Sequence, residues 1–175
     1  MSRNYGLPMR SPGRVFWPLA SLLLLADCTT KRAIEAADSV VGVPTPVIDG
    51  FVQFTLSYNP GGPFSTHLGP FQRWVLSALA VTMLVVLARS YRYIAQGGPL
   101  ATVGVALVAG GATGNLWDRL RSARGVVDFI DVGFGTSRFY LFNVADAGIT
   151  VGAVLLAYAL WRHDRAMNRR AHLNA

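Results

Sequence analysis

Apolar and polar positions divide the chain into long hydrophobic runs separated by polar connections. The runs are Val15 to Ala26, extendable through Thr30; Trp74 to Ala88; Leu100 to Leu116; and Ala147 to Trp161. The third has no charge in 17 residues and the fourth none in 15. Each falls slightly short of the roughly 20 residues that cross a bilayer as a helix. In all but the second, the shortfall is filled by residues leading into an acid: Asp27, Asp118 and Asp146. An acid at membrane depth costs about 2.5–3.5 kcal/mol, so its presence is a first pointer to chemistry. The pattern predicts a membrane α-helical protein with four transmembrane helices. Between the first two runs, Val52, Phe54, Leu56 and Tyr58 alternate with Gln53, Thr55 and Ser57, which is strand periodicity. Asn59-Pro60-Gly61-Gly62-Pro63 closes that strand as a turn. Gly125 to Asp131 is a second candidate strand, so a small β element is expected outside a helical base.

Composition supports the membrane reading. Hydrophobic residues make up 52% of the 175 and charged residues 14%, against about 25% charged in an average soluble domain. The net charge of +7 does not imply nucleic acid, because the 16 basic residues form short clusters between apolar runs. Arg3, Arg10, Arg14, Arg89, Arg92, Arg162, Arg165, Arg169 and Arg170 lie in the tails and the short second connection. Lys31, Arg32, Arg73, Arg119, Arg121, Arg124 and Arg138 are spread over longer connections. The positive-inside rule then places both termini in the cytoplasm, with outer loops at about 32–70 and 117–145. The expected organisation is an N-terminal tail over 1–14, one membrane domain over 15–162 and a C-terminal tail over 163–175. Residues 1–28 resemble a lipoprotein signal ending in Cys28, but Asp27 stands where a small residue is needed and three more runs follow. The first run is therefore read as a retained span.

Four of the nine acids fall between 118 and 146: Asp118, Asp128, Asp131 and Asp146, with Asn115 and Asn143 in the same window. On a helix, Asn115, Asp118 and Arg119 share one face, and Asn143 and Asp146 are similarly i, i+3. Helix capping and surface pairing would explain any one of them. The whole set reads as carboxylates converging at one membrane face without matching Lys or His partners. Two carboxylates sharing a site raise one pKa, and a dyad holding one proton can activate water and protonate a leaving group. Cys28 alone with His67, His163 and His172 supports neither a disulfide nor a Cys/His metal site. Thr102, Ala106, Gly110 and Gly114, and Gly148 with Gly152, repeat at four-residue spacing that lets helices pack closely.

Five blocks, in order, resemble the bacterial lipoprotein signal peptidases (type II signal peptidases). Gly110-Gly111-Ala112-Thr113-Gly114-Asn115-Leu116-Trp117-Asp118-Arg119 is similar to their G-G-A-x-G-N-x-x-D-R block. Gly125 to Ile130 is similar to V-V-D-F, and Phe142-Asn143-Val144-Ala145-Asp146 to F-N-x-A-D. Asp27-Cys28-Thr29-Thr30-Lys31 and Tyr58 to Ser65 resemble two weaker blocks. The resemblance implies a four-helix inner-membrane aspartic endopeptidase with an extracytoplasmic β-cradle. It would cut prolipoproteins on the amino side of a diacylglyceryl-modified Cys, amid membrane lipids, without metal or cofactor. It implies Asp128 and Asp146 as the catalytic dyad. Asn59, Asn115, Asp118, Arg119 and Asn143 would shape the site or bind substrate, and Asp27, Lys31, Gly111 and Gly114 would be structural. Pro60, Gly62 and Pro63 depart from the family's Thr and two Ala, and Ala147-Gly148 from its Ser-Ala. Read from residues alone, a small transporter, a non-catalytic membrane adaptor and a lipid-head-group transferase are the competing functions. Transport predicts acids spread through the membrane depth, an adaptor predicts loss of one dyad Asp, and a transferase predicts clustered Asp at the cytoplasmic face.

Overall fold

A computed structural model of the chain describes residues 13–37, 40–61 and 71–173. Four long helices carry a small antiparallel sheet at one end. Helix α1 spans Gly13–Ala36, α2 Gln72–Ile94, α3 Pro99–Arg121 and α4 Val144–Leu173. Strands β1 (Pro44–Ile48) and β2 (Val52–Asn59) lie between α1 and α2, and β3 (Val126–Phe134) and β4 (Ser137–Arg138) between α3 and α4. Residues 1–12, Gly62 to Ser65 of the expected turn, and His67 lie outside the described residues.

Among the described residues, three helical segments are long and apolar enough to cross a membrane: Gln72–Gly97, Pro99–Arg121 and Val144–Arg169. Helix α1 does not reach that standard, because Pro18 and then Asp27 and Lys31 interrupt its apolar stretch. Helix α3 is the centre of the bundle: 61% of its apolar window is buried, against 6% for α2, whose apolar surface faces outward. Its small residues explain this. A Cβ on Gly104 would meet the Gly152 carbonyl of α4 at 2.8 Å, and one on Gly110 the Ala20 carbonyl of α1 at 2.6 Å. Backbones that close tolerate no side chain between them. At the end away from the sheet, Ile94, Ala101, Val105 and Ala159 close the core. Helix α4 continues to Leu173, well past the apolar run that ends at Trp161.

The sheet has the order β1-β2-β3-β4. The two strands expected from alternation are β2 and β3, paired antiparallel with Phe54 opposite Ile130, Ser57 opposite Asp128 and Asn59 opposite Val126. A register shift between Phe54 and Ser57 breaks the alternation, so that neighbours Thr55 and Leu56 are both buried. Gly125 enters β3 at φ 97°, and a Cβ there would overlap the Asn59 carbonyl. Only glycine lets β3 pass this close to the end of β2.

Candidate active site

The polar residues of α1, α3, β3 and α4 meet where the helices join the sheet. Asn143 and Asp146 first form the cap of α4. The Asn143 side-chain oxygen accepts the Asp146 N–H at 2.9 Å, and the Asp146 carboxylate accepts the Asn143 N–H at 3.2 Å. This is a reciprocal capping box with Asp in the acidic position. The cap leaves the Asn143 amide NH2 free to donate elsewhere. It reaches Asp128 Oδ1 at 2.7 Å, Asn115 Oδ1 at 3.1 Å and the Val127 carbonyl at 3.3 Å. Asn143 is fully buried and hydrogen-bonds to both Asp128 and Asp146.

Beneath lies a second layer built around Lys31. Its ammonium, 1% exposed as a residue, contacts Asp27 Oδ2 at 2.7 Å, Asp118 Oδ2 at 2.9 Å and Asn115 Oδ1 at 3.0 Å. A lysine only donates, so the Asn115 oxygen must face it. The Asn115 NH2 is thereby turned to Asp146 Oδ1, at 2.8 Å. Asp27 Oδ1 accepts the Ala145 N–H at 2.9 Å, and Asp118 accepts the Val127 N–H at 3.3 Å. Lys31 thus ties α1 and α3 to the starts of β3 and α4. Glycines make room for the layer. A Cβ on Gly114 would lie 2.5 Å from Asp27 Oδ2, and one on Gly111 2.5 Å from the Ala145 carbonyl. Gly114→Ala is expected to lower thermal stability by about 1–3 kcal/mol through overpacking, as a detergent-phase melt would show. An unchanged melting temperature would mean that the layer relaxes freely.

The sequence pattern presents converging acids without matching Lys or His partners, and the structure corrects this for Asp118. Asp118 pairs with Lys31, while Asp131 pairs with Arg138 at 2.6 Å and accepts from Gln53 and Thr55. Burial opposes ionisation of Asp131, but the Arg138 and Gln53 hydrogen bonds hold its carboxyl below the usual range. Among the described residues, Asp128 and Asp146 make no ion pair within 4.0 Å. Asp128 is 4% exposed. Burial first, then the neighbouring Asp146 charge, pushes its pKa up to about 6, against hydrogen bonds from Asn59 and Asn143 that lower it. No group of three or more His, Cys, Asp or Glu among the described residues is placed to hold a metal ion.

Asn59 closes the site from the sheet. Its oxygen accepts the Gly61 N–H at 3.0 Å, an Asx turn, and its NH2 reaches Asp128 Oδ2 at 3.1 Å. Arg119, half-buried, donates to the Asn115 carbonyl at 3.3 Å, while its Nε is buried without a partner among the described residues. The residues that share a face on α3 therefore divide the work: Asn115 and Asp118 face Lys31, and Arg119 keeps an unused donor. Two contributors escaped the sequence pattern. Glu35 joins Tyr58 at 3.1 Å and Arg121 at 3.1 Å, tying α1 and α3 to β2. Gln72 donates to the Pro60 carbonyl at 2.9 Å, anchoring α2 beside the Asn59 turn. Neither belongs to a motif or an acid cluster.

The signal peptidase (SPase) II family profile matches residues 19–162, which include Asp128, Asp146 and the whole Lys31 layer. The chain belongs to the signal peptidase II family. The lipoprotein signal peptidase of Ectopseudomonas mendocina strain ymp is 38% identical over 163 residues, covering 91% of this chain and 95% of that one. The Cellvibrio japonicus Ueda107 protein of the same name is 39% identical over 144 residues, covering 81% and 83%. Two solved structures described as bacterial membrane enzymes superpose with TM-scores of 0.74 and 0.72 at 29% and 30% identity. They cover 83% and 82% of this chain and are themselves covered over 86% and 90%. Membership makes this chain an aspartic-type signal peptidase II, a membrane enzyme that removes signal peptides.

Proposed function

We propose that Asp128 and Asp146 are the catalytic dyad of this signal peptidase II, and that its substrates are prolipoproteins carrying a diacylglyceryl-Cys. The observation that carries the reading is that one buried residue, Asn143, hydrogen-bonds to both carboxylates, while neither has an ion-pair partner among the described residues. Asp128, the buried acid with its pKa raised to about 6, holds the shared proton. Asp146, whose two oxygens each accept an N–H, takes the proton of the attacking water. Water oxygen then bonds to the carbonyl carbon of the residue before Cys. Asp128 supplies the proton that the departing amine requires, and the dyad exchanges roles over a turnover. The free Nε of Arg119 is a donor for a substrate carbonyl.

The reading extends to the membrane. Helix α1, which Lys31 ties to the other helices, is the fourth span despite its interruptions, and the domain runs over 15–162. Both termini are cytoplasmic, on the excess of arginines in the tails and the short 89–92 connection. The dyad then faces the extracytoplasmic side of the inner membrane, where water is available and a lipid-modified Cys can arrive along the bilayer. No metal or cofactor enters this mechanism.

The test is cleavage of a purified prolipoprotein with and without the diacylglyceryl group, with the new N-terminus read by mass spectrometry. The expected product begins at the lipid-modified Cys, and the unmodified precursor is cut at least about tenfold more slowly, because its lipid supplies remote binding energy. Equal cleavage of both forms, or a cut elsewhere, would contradict the substrate assignment. Asn59→Ala removes a hydrogen bond that lowers the Asp128 pKa. It is expected to move the alkaline limb of kcat/KM against pH to higher pH, and an unmoved limb would separate Asn59 from the dyad.

A further inference from the structure

On the side of the bundle where the helices run away from the sheet, α1, α2 and α3 enclose a cavity of about 400 Å³. Phe16, Trp17, Leu84, Tyr91, Val105 and Ala109 are among its walls. It lies outside the polar layer: none of Asp27, Lys31, Asn115 and Asp118 lines it, and Leu24 stands about a helical turn before Asp27. The volume is within the range of about 300–1,000 Å³ typical of small-molecule sites. Two features of its far end are polar. The Tyr91 hydroxyl is buried with no hydrogen-bond partner among the described residues, although its ring packs on Phe16 at 5.1 Å. A buried phenol normally finds a partner, so an empty one beside a cavity points to a missing acceptor. Next, the helix faces that line the cavity continue into arginines. Ser21 and Trp17 lead by helical spacing to Arg14 on α1, and Leu84 and Ala88 lead to Arg92 on α2. Both arginines are exposed. The Phe16–Tyr91 contact places these two helix ends at the same level.

We propose that this cavity is a binding site for an anionic phospholipid from the leaflet on the side of the termini. One acyl chain fills the cavity, an ester carbonyl accepts the Tyr91 hydroxyl, and the phosphate lies between Arg14 and Arg92. The chemistry of each part matches its surroundings: hydrocarbon against Leu84 and Val105, a carbonyl acceptor at the lone phenol, an anion at two guanidinium groups. A signal-peptide helix would fill an apolar cavity too, but it supplies neither the carbonyl acceptor nor the anion, because its backbone carbonyls are bonded within the helix. The site is separate from the dyad and takes lipid in the absence of any peptide substrate. It rests on α1 and α2 lying within the membrane, not on the identity of the catalytic acids.

The test uses the full chain in detergent and native mass spectrometry, titrating dioleoyl-phosphatidylglycerol against dioleoyl-phosphatidylcholine. The wild type is expected to retain one phosphatidylglycerol with roughly thirtyfold preference over phosphatidylcholine, the scale of two arginines facing a net negative head group, which choline neutralises in phosphatidylcholine. The Arg14→Gln/Arg92→Gln double variant loses that preference, with Kd values within about twofold of each other. Tyr91→Phe keeps the preference and weakens both lipids about fivefold, the scale of one lost hydrogen bond. Far-UV circular dichroism on each variant confirms that the helices are intact. Equal retention of the two lipids by the wild type, unchanged binding in either variant, or displacement of lipid by an unmodified signal peptide would overturn the proposal. Loss of peptidase activity in a dyad variant with lipid retention intact would leave the two readings independently judged.

Discussion

Asp128→Asn and Asp146→Asn are each expected to reduce cleavage by at least about 10³-fold, the upper range for losing a positioned acid or base. An amide neither gives up nor accepts a proton at neutral pH, so each variant removes one half of the proton transfer. Asp128→Asn should also change stability. Asp128 is buried, and its pKa lies near 6 rather than 3.8. For a carboxyl raised in this way, stability is fully present below the unfolded value and is lost as pH rises through the folded value. The wild type therefore gives up about 3 kcal/mol through this group between roughly pH 4 and pH 7. Asp128→Asn has no such titration. Its melting temperature is expected to rise relative to wild type between pH 5 and pH 8 while its activity stays lost. A stable Asp128→Asn protein that cleaves normally would remove Asp128 from the mechanism.

The second large effect is on folding. Lys31→Met leaves Asp27 and Asp118 buried together with no ammonium between them. Breaking a buried ion pair from one side costs about 3–5 kcal/mol, because the remaining charge is uncompensated. The variant is expected to melt far below wild type, and adding Asp27→Asn should recover part of the loss by removing the orphaned carboxylate, since Asp118 keeps Arg121 at 3.7 Å. Activity should fall with Lys31→Met as well, since the ammonium fixes which way the Asn115 amide faces Asp146. A melting temperature within a degree or two of wild type would show that the layer is not held by charge.

These two effects differ in how far the sequence exposes them. The strand alternation around Phe54 and the run through Asp128 gave β2 and β3, and the Asn143–Asp146 spacing gave the α4 cap. Strand β1 was invisible because Pro44 and Pro46 remove two donors from a five-residue segment. Strand β4 has only two residues, too few to show a period. Lys31 sits four residues after Asp27, a spacing any surface helix uses, and its decisive partner Asn115 is 84 residues away. Nothing local marks that pairing, so the acids looked unmatched. The apolar run of α1 was legible as a helix but carries Pro18, Asp27 and Lys31. Its charges are buried against α3 and α4 rather than placed at an end, and hydropathy along one chain does not register that compensation. The fourth helix outran its apolar segment because Arg162 to Leu173 suits a helix as well as a tail.

The most direct test of the shared-proton dyad is the pH dependence of kcat/KM on the diacylglyceryl-modified prolipoprotein. The account predicts a descending alkaline limb near pH 6 in the free enzyme, set by loss of the proton that burial and Asp146 hold on Asp128. Activity that stays level from pH 5 to pH 8 would contradict it.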